Sequence, residues 1–79
     1  ALFKLLLSLD NISDCYALFD DLCTKKEIEK MAERLYAAKL LLEGKTDNQV
    51  MEVADISSAT LSRVSQCVQY GNGYAKLLK

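Results

Sequence analysis

The sequence has no proline and no histidine, and only three glycines in 79 residues. All three glycines lie at or after position 44, so the first 43 residues carry no strong breaker, as long helices require. Without histidine the chain lacks the commonest metal ligand and the commonest general base. Three cysteines, Cys15, Cys23 and Cys67, are an odd number with no metal-type spacing. A disulfide framework or a zinc site is therefore not expected. Reduced, partly buried thiols in a cytoplasmic protein are the plain reading. No apolar run approaches the roughly 20 residues of a membrane span. Leu2–Leu9 is apolar but short, and it lacks the basic leader and small-residue cleavage site of a signal peptide. The chain opens on Ala1 and not on Met, which leaves room for residues upstream.

A large excess of basic charge is also missing. The formal net charge is −1. Residues 1–24 carry one Lys and four Asp, a net of −3, while 25–44 and 45–79 each carry one excess positive charge. Any attraction to phosphate must come from a few placed side chains and helix ends, not from a general basic field. Catalysis is not expected. No activated nucleophile pattern is present, and Asp20 and Asp21, as sequence neighbours, point roughly 100° apart on a helix. No cofactor is implied.

What is present is apolar residue content at helical spacing. The apolar fraction of 51% with 27% charged residues fits one ordered globular domain. A first helix is expected over Leu2–Ser8, apolar nearly all round, so that it needs cover on more than one side. A chain this short has little cover to offer, which points to a second subunit. A second helix is expected over Ser13–Cys23, from Ile12, Cys15, Tyr16, Phe19, Leu22 and Cys23 at i, i+3, i+4 spacing. A third, over Lys25–Glu43, opens on the capping-box pair Thr24 and Glu27. It carries the stripe Ile28, Met31, Ala32, Leu35, Ala38 and Leu42, and ends at Gly44. A fourth, over Asp47–Ala54, repeats the capping pattern with Thr46 and Gln49 and turns Val50, Val53 and Ala54 inward. A fifth, over Ser58–Gln69, points Leu61, Val64, Cys67 and Val68 inward. Gly71-Asn72-Gly73 breaks the chain before a last short helix containing Tyr74, Leu77 and Leu78.

The informative stretch is Thr46–Arg63, TDNQVMEVADISSATLSR. It reads as a helix-turn-helix: a capped short helix, a tight turn plugged by Ile56, and a second helix capped by Ser57. Leu61 and Val64 seat that helix, leaving Ser58, Ala59, Thr60, Ser62 and Arg63 for its outer face. Small residues at a helix start let backbone approach the floor of a major groove. Hydroxyls can pair with base edges or phosphates, directly or through water. The Ala59 and Thr60 methyls suit a thymine methyl, and Arg63 a phosphate or guanine. Amides near Thr46 and Asn48 at the start of the fourth helix suit a backbone phosphate. The expected partner is double-stranded DNA. A competing reading is a helical protein-interaction module without operator binding, motivated by the acidic first segment, Asp55 and the near-neutral charge.

The segments RLYAAKLLLEGKT and ISSATLSRVSQCVQYGNGYAKLL resemble the Trp-repressor superfamily, and with FDDLCTKKEIEKMAERL they resemble most its YerC/YecD-type Trp-repressor-related branch. The resemblance implies an all-α fold of about six helices and an intertwined homodimer. Residues 1–44 would then supply the dimerisation helices, 45–70 the helix-turn-helix and 71–79 the C-terminal helix. It also implies a DNA-binding regulator of transcription whose two recognition helices lie about 34 Å apart on a pseudo-palindromic operator. In Trp repressor two arginines sandwich the indole of bound tryptophan, and the resemblance assigns their places to Arg34 and Arg63. Two departures bear on that pocket. Val64 stands where Trp repressor has Gly, and Cys67 stands where it has a Ser that helps hold the ligand's amino group. Tryptophan is therefore not expected as the effector, the pocket is expected to be filled by Val64 and its neighbours, and the arginines are free to bind phosphates or to pair with Glu33, Glu43 or Asp55. Two further departures lie in the motif. Asp55 takes the place of the usual turn Gly, where it would adopt a left-handed conformation at some cost. Met51 replaces a small residue where the two helices touch.

Overall fold

The computed structural model describes residues 1–78; Lys79, assigned on sequence grounds to the terminal segment, lies outside the described residues. Among the described residues six α-helices follow one another without a strand. They are α1 (Leu2–Ser8), α2 (Ile12–Leu22), α3 (Lys25–Leu42), α4 (Asp47–Val53), α5 (Ser58–Tyr70) and α6 (Gly73–Leu77). The first five match the expected spans to within one residue at each end. No described helix is long and apolar enough to cross a membrane.

Local chemistry sets the boundaries. Asn11 starts α2 by accepting the Asp14 amide at 2.8 Å, one residue earlier than the apolar pattern suggests. Thr24 and Glu27 form the expected reciprocal cap of α3, with amide-to-oxygen distances of 2.8 and 3.1 Å. At the other end Gly44 has φ +94, a conformation that costs glycine nothing. The turn lets the Gly44 amide reach the Leu41 carbonyl and the Lys45 amide the Leu40 carbonyl, satisfying two otherwise orphaned acceptors. Gly71 ends α5 for a steric reason: a Cβ there would lie 2.6 Å from the Cys67 carbonyl oxygen.

The core is small and gathers on the C-terminal half of α3. Ala37 and Ala38 are wholly buried there, with Val50 and Ala54 from the α4 side and Leu61 and Val64 from α5. Leu40, Leu41, Ile56, Val68, Tyr74 and Leu78 pack around them, half-buried. α3 is the spine: it packs most extensively on α5 and also supports α4 and α6, whereas α4 and α5 meet each other little.

Two expectations about the core need correction. Val53, expected inward, is 62% exposed. At 3.6 residues per turn Ala54 lies about 40° from Val50 around the helix and Val53 about 60° to the other side, so the narrow contact with α3 takes only the first pair. The stripe on α3 is buried only at its C-terminal half: Met31, Ala32 and Leu35 remain exposed. The spacing marks the apolar side, but within one chain its N-terminal part is only half-buried at Ile28 and stays exposed at Met31, Ala32 and Leu35.

The same shortage of cover affects the whole N-terminal third. Neither α1 nor α2 contains a buried residue. The radius of gyration is 13.9 Å, against about 11.6 Å for a compact chain of this length. The accessible surface is 6337 Å², against roughly 4,800 Å² for a compact monomer of this mass. About 1,500 Å² per chain is thus exposed beyond what a self-sufficient domain of this size shows.

Candidate nucleic-acid interface

α4, α5 and the link between them have the helix-turn-helix form anticipated for Thr46–Arg63. At the start of α4, Thr46 accepts the Gln49 amide at 3.2 Å and the Gln49 side chain accepts the Thr46 amide at 2.9 Å. This leaves the amides of Asp47 and Asn48 without intrahelical acceptors, as first-turn donors are. Asn48 is exposed beside them.

The link runs through Ala54, Asp55 and Ile56. Ala54 donates its amide to Val50 at 2.8 Å and closes α4. The Ile56 amide turns back to the Ala54 carbonyl at 3.0 Å, and the half-buried Ile56 side chain fills the corner. Asp55 does not take the left-handed conformation expected of it, since among the described residues glycine alone has positive φ. The turn is closed by an i+2 hydrogen bond across Asp55, a geometry open to any L-residue, so the missing glycine costs nothing here. Met51 is 43% exposed and is not wedged between the helices.

Ser57 caps α5. Its Oγ accepts the Thr60 amide at 3.2 Å and donates its own proton to Thr60 Oγ1 at 3.0 Å. Both hydroxyls are thus engaged locally, and Thr60 is half-buried where the sequence placed it on the open face or its edge. The Thr60 hydroxyl proton stays available as a donor, because that oxygen accepts from Ser57. Leu61 and Val64 face the core at 1% and 3% exposure. Ser58, Ala59, Ser62 and Arg63 are exposed, and Gln66 extends their ridge by a turn. The pairs 58/62 and 59/63 are four apart, so the side chains stand in two adjacent rows on one face.

Arg34, Arg63, Val64 and Cys67, which the sequence grouped as a possible effector pocket, come together around one hollow. It has a volume of about 390 Å³, and Ala59, Thr60 and Tyr74 complete its wall. The volume falls in the range of small-molecule sites, roughly 300–1,000 Å³. Val64 is 3% exposed, so it belongs to the core and also forms part of the wall of this hollow. Glu33, one of the carboxylates considered as a partner for the arginines, instead accepts the Asp55 amide through Oε2 at 3.2 Å. Sequence reasoning missed Tyr74 in this wall. Only α6 folding back brings it there, and no local pattern signals that. Cys15, Cys23 and Cys67 are free and half-buried.

Comparison with known proteins gives a consistent result. The family model for Trp repressor protein matches residues 1–79. YerC of Bacillus subtilis (strain 168), itself an uncharacterised protein, is 46% identical over 71 residues, covering 90% of this chain and 68% of that protein. A crystal structure from Staphylococcus aureus, provisionally named as a Trp repressor, superposes with a TM-score of 0.91 at 41% identity. It covers 98% of this chain and 78% of its own. A TrpR-like protein from Eubacterium eligens ATCC 27750 gives a TM-score of 0.90 at 38% identity, covering 98% of this chain and 80% of its own. With six helices among the described residues and these likenesses along nearly its whole length, the chain belongs to the Trp repressor family.

Proposed function

We propose that the protein is a sequence-specific DNA-binding regulator of transcription, a repressor in kind, that acts in the cytoplasm as a homodimer on a pseudo-palindromic operator. The observation that carries this reading is the outward ridge of α5. Ser58, Ala59, Ser62 and Arg63 stand exposed on a helix whose opposite face is locked into the core. Small side chains at the start of the helix permit close approach to base edges, and Arg63 supplies a guanidinium for guanine or phosphate. The Thr60 proton suits an acceptor at the edge of the ridge. Ser57 acts through its cap, and Thr46 and Asn48 flank a phosphate. Family membership favours a regulator over an enzyme.

The dimer rests on the uncovered surface. An excess of roughly 1,500 Å² per chain corresponds to about 3,000 Å² for a pair, within the range of obligate homodimers. In this arrangement residues 1–44 supply the dimer contacts, 45–70 the reading motif and 71–79 the closing segment. Tryptophan is not the effector in this reading. The hollow between Arg34 and Arg63 has the size for a small molecule, but a branched Val64 and the weakly hydrogen-bonding Cys67 border it where the resemblance calls for Gly and Ser.

Selection of bound DNA from a random library tests the assignment. The expected result is a two-fold symmetric consensus with half-sites about one helical turn apart. Thr60→Ala and Arg63→Ala should weaken the preference, and loss of a base-edge contact by Arg63 costs about 1–3 kcal/mol at one position. No enrichment by the wild type, together with a stable protein partner in a pull-down, would replace this reading with that of a protein-interaction module.

A further inference from the structure

We propose that Glu33 is a positioning residue for α5, its carboxylate holding the elbow of the helix-turn-helix to α3. Among the described residues the contact from Glu33 Oε2 to the Asp55 amide is the one side-chain hydrogen bond that spans more than three positions, and it spans 22. Every other such bond shapes the end of a single helix or its flank. This one joins two parts of the fold.

Its place in the fold gives it leverage. α4 has seven residues and could not hold itself as a helix in isolation. α4 and α5 meet each other little, and each leans on α3. The angle between them is therefore set through α3 and through the three-residue link. Within the link the Ala54 and Ile56 amides have backbone acceptors, and the Asp55 amide between them has Glu33. Asp55 is exposed, so water could satisfy its amide equally well. The bond therefore matters for where it holds the chain, not for meeting an otherwise unmet donor. It also sits beside Ser57 and Thr60, which with Lys30, Arg34 and Ile56 border a recess of about 280 Å³ over this elbow. Slack at Asp55 passes within two residues to the cap of α5, and so to the outward ridge.

The effect on DNA rests on the function proposed above, but the elbow can be tested without it. The full chain, free of DNA, is compared with Glu33→Ala and Glu33→Gln by amide hydrogen exchange. Alanine removes the acceptor. Glutamine keeps a carbonyl acceptor and removes only the charge. Exchange at the Asp55 amide should accelerate about tenfold or more in E33A and clearly less in E33Q, which keeps a weaker, neutral acceptor. Unchanged exchange in E33A, or equal acceleration in both variants, overturns the proposal.

The second arm uses a site selected by the wild type. E33A should lose about tenfold in affinity, and E33Q clearly less. If both variants instead bind more tightly and equally, Glu33 acts only as a like charge toward phosphate and the positioning role falls. If the wild type binds no DNA, the regulator assignment fails by itself and the exchange result still decides the role of Glu33.

Discussion

In the dimer proposed above, replacing Phe3 and Leu7 together by serine should separate the subunits into monomers. The two side chains are four positions apart on α1 and share a face, and they are 76% and 86% exposed in the single chain. Nearly all of each is thus available for a partner to cover. Full burial of such a side chain contributes about 1.5–3 kcal/mol. Scaled to the exposed share and counted for two copies of each residue, the sum is about 5–10 kcal/mol per dimer. Ordering four side chains at an interface takes back about 0.5–1.5 kcal/mol each. Matching low with low and high with high, the net is about 3–4 kcal/mol, which would raise the dissociation constant of the proposed dimer roughly a hundredfold to a thousandfold. Sedimentation equilibrium across a concentration series reads this directly, with circular dichroism as a check that α3–α6 remain folded. A wild type that stays monomeric at tens of micromolar (on the order of a weak transient interface), or a double variant that dimerises as tightly as wild type, would refute the argument from uncovered surface.

Other outcomes can be stated more briefly. Leu61→Ala removes a side chain that is 1% exposed and should cost about 2–5 kcal/mol, lowering the melting temperature by about 10 °C or more; a shift of a degree or two would show that the pocket around it collapses freely. Ser57→Ala deletes the α5 cap and should cost about 1 kcal/mol in urea unfolding, whereas no change would mean that the cap is redundant with packing. The Thr24 backbone amide, and after it the Thr24 hydroxyl, hold the Glu27 carboxyl below its ordinary value of 4.5. A depressed carboxylate adds stability above the unfolded pKa and loses it as pH falls through the folded one, so this cap should fail in acid, below about pH 4.5. A carboxyl-detected titration should show Glu27 returning toward its ordinary value in Thr24→Ala, and an unmoved midpoint would discount the hydroxyl's part. Calorimetry with L-tryptophan should show no micromolar binding, and a micromolar constant would restore tryptophan as a candidate effector.

The elements were legible wherever local chemistry decides them. Thr24 with Glu27, Thr46 with Gln49, Ser57 and Gly44 each act within one turn, and each stands where the sequence placed it. The grouping of Arg34, Arg63, Val64 and Cys67 was legible only through resemblance to a family, since nothing local links α3 to α5. What failed to show were properties that depend on neighbours from elsewhere in the chain. Val53 and Val50 are the same residue type three positions apart, and only the line along which α4 crosses α3 makes one buried and the other exposed. The relaxed backbone of Asp55 depends on how the link closes, so it could not be read from residue identity. The contact between Glu33 and Asp55 joins positions 22 apart and leaves no trace in periodicity.

The two fully buried alanines of α3 divide the molecule into parts that can change and a part that cannot. Ala37 and Ala38 are wholly buried in the core shared with residues of α4 and α5, and an added methylene there would have to push that packing apart. Ser58, Ala59, Ser62 and Arg63, on the same helix as Leu61 and Val64, are exposed and stand outside that core. On the function proposed above, new target preferences could be written into this scaffold one outward residue at a time, with little penalty in folding, as long as the two buried alanines are left alone.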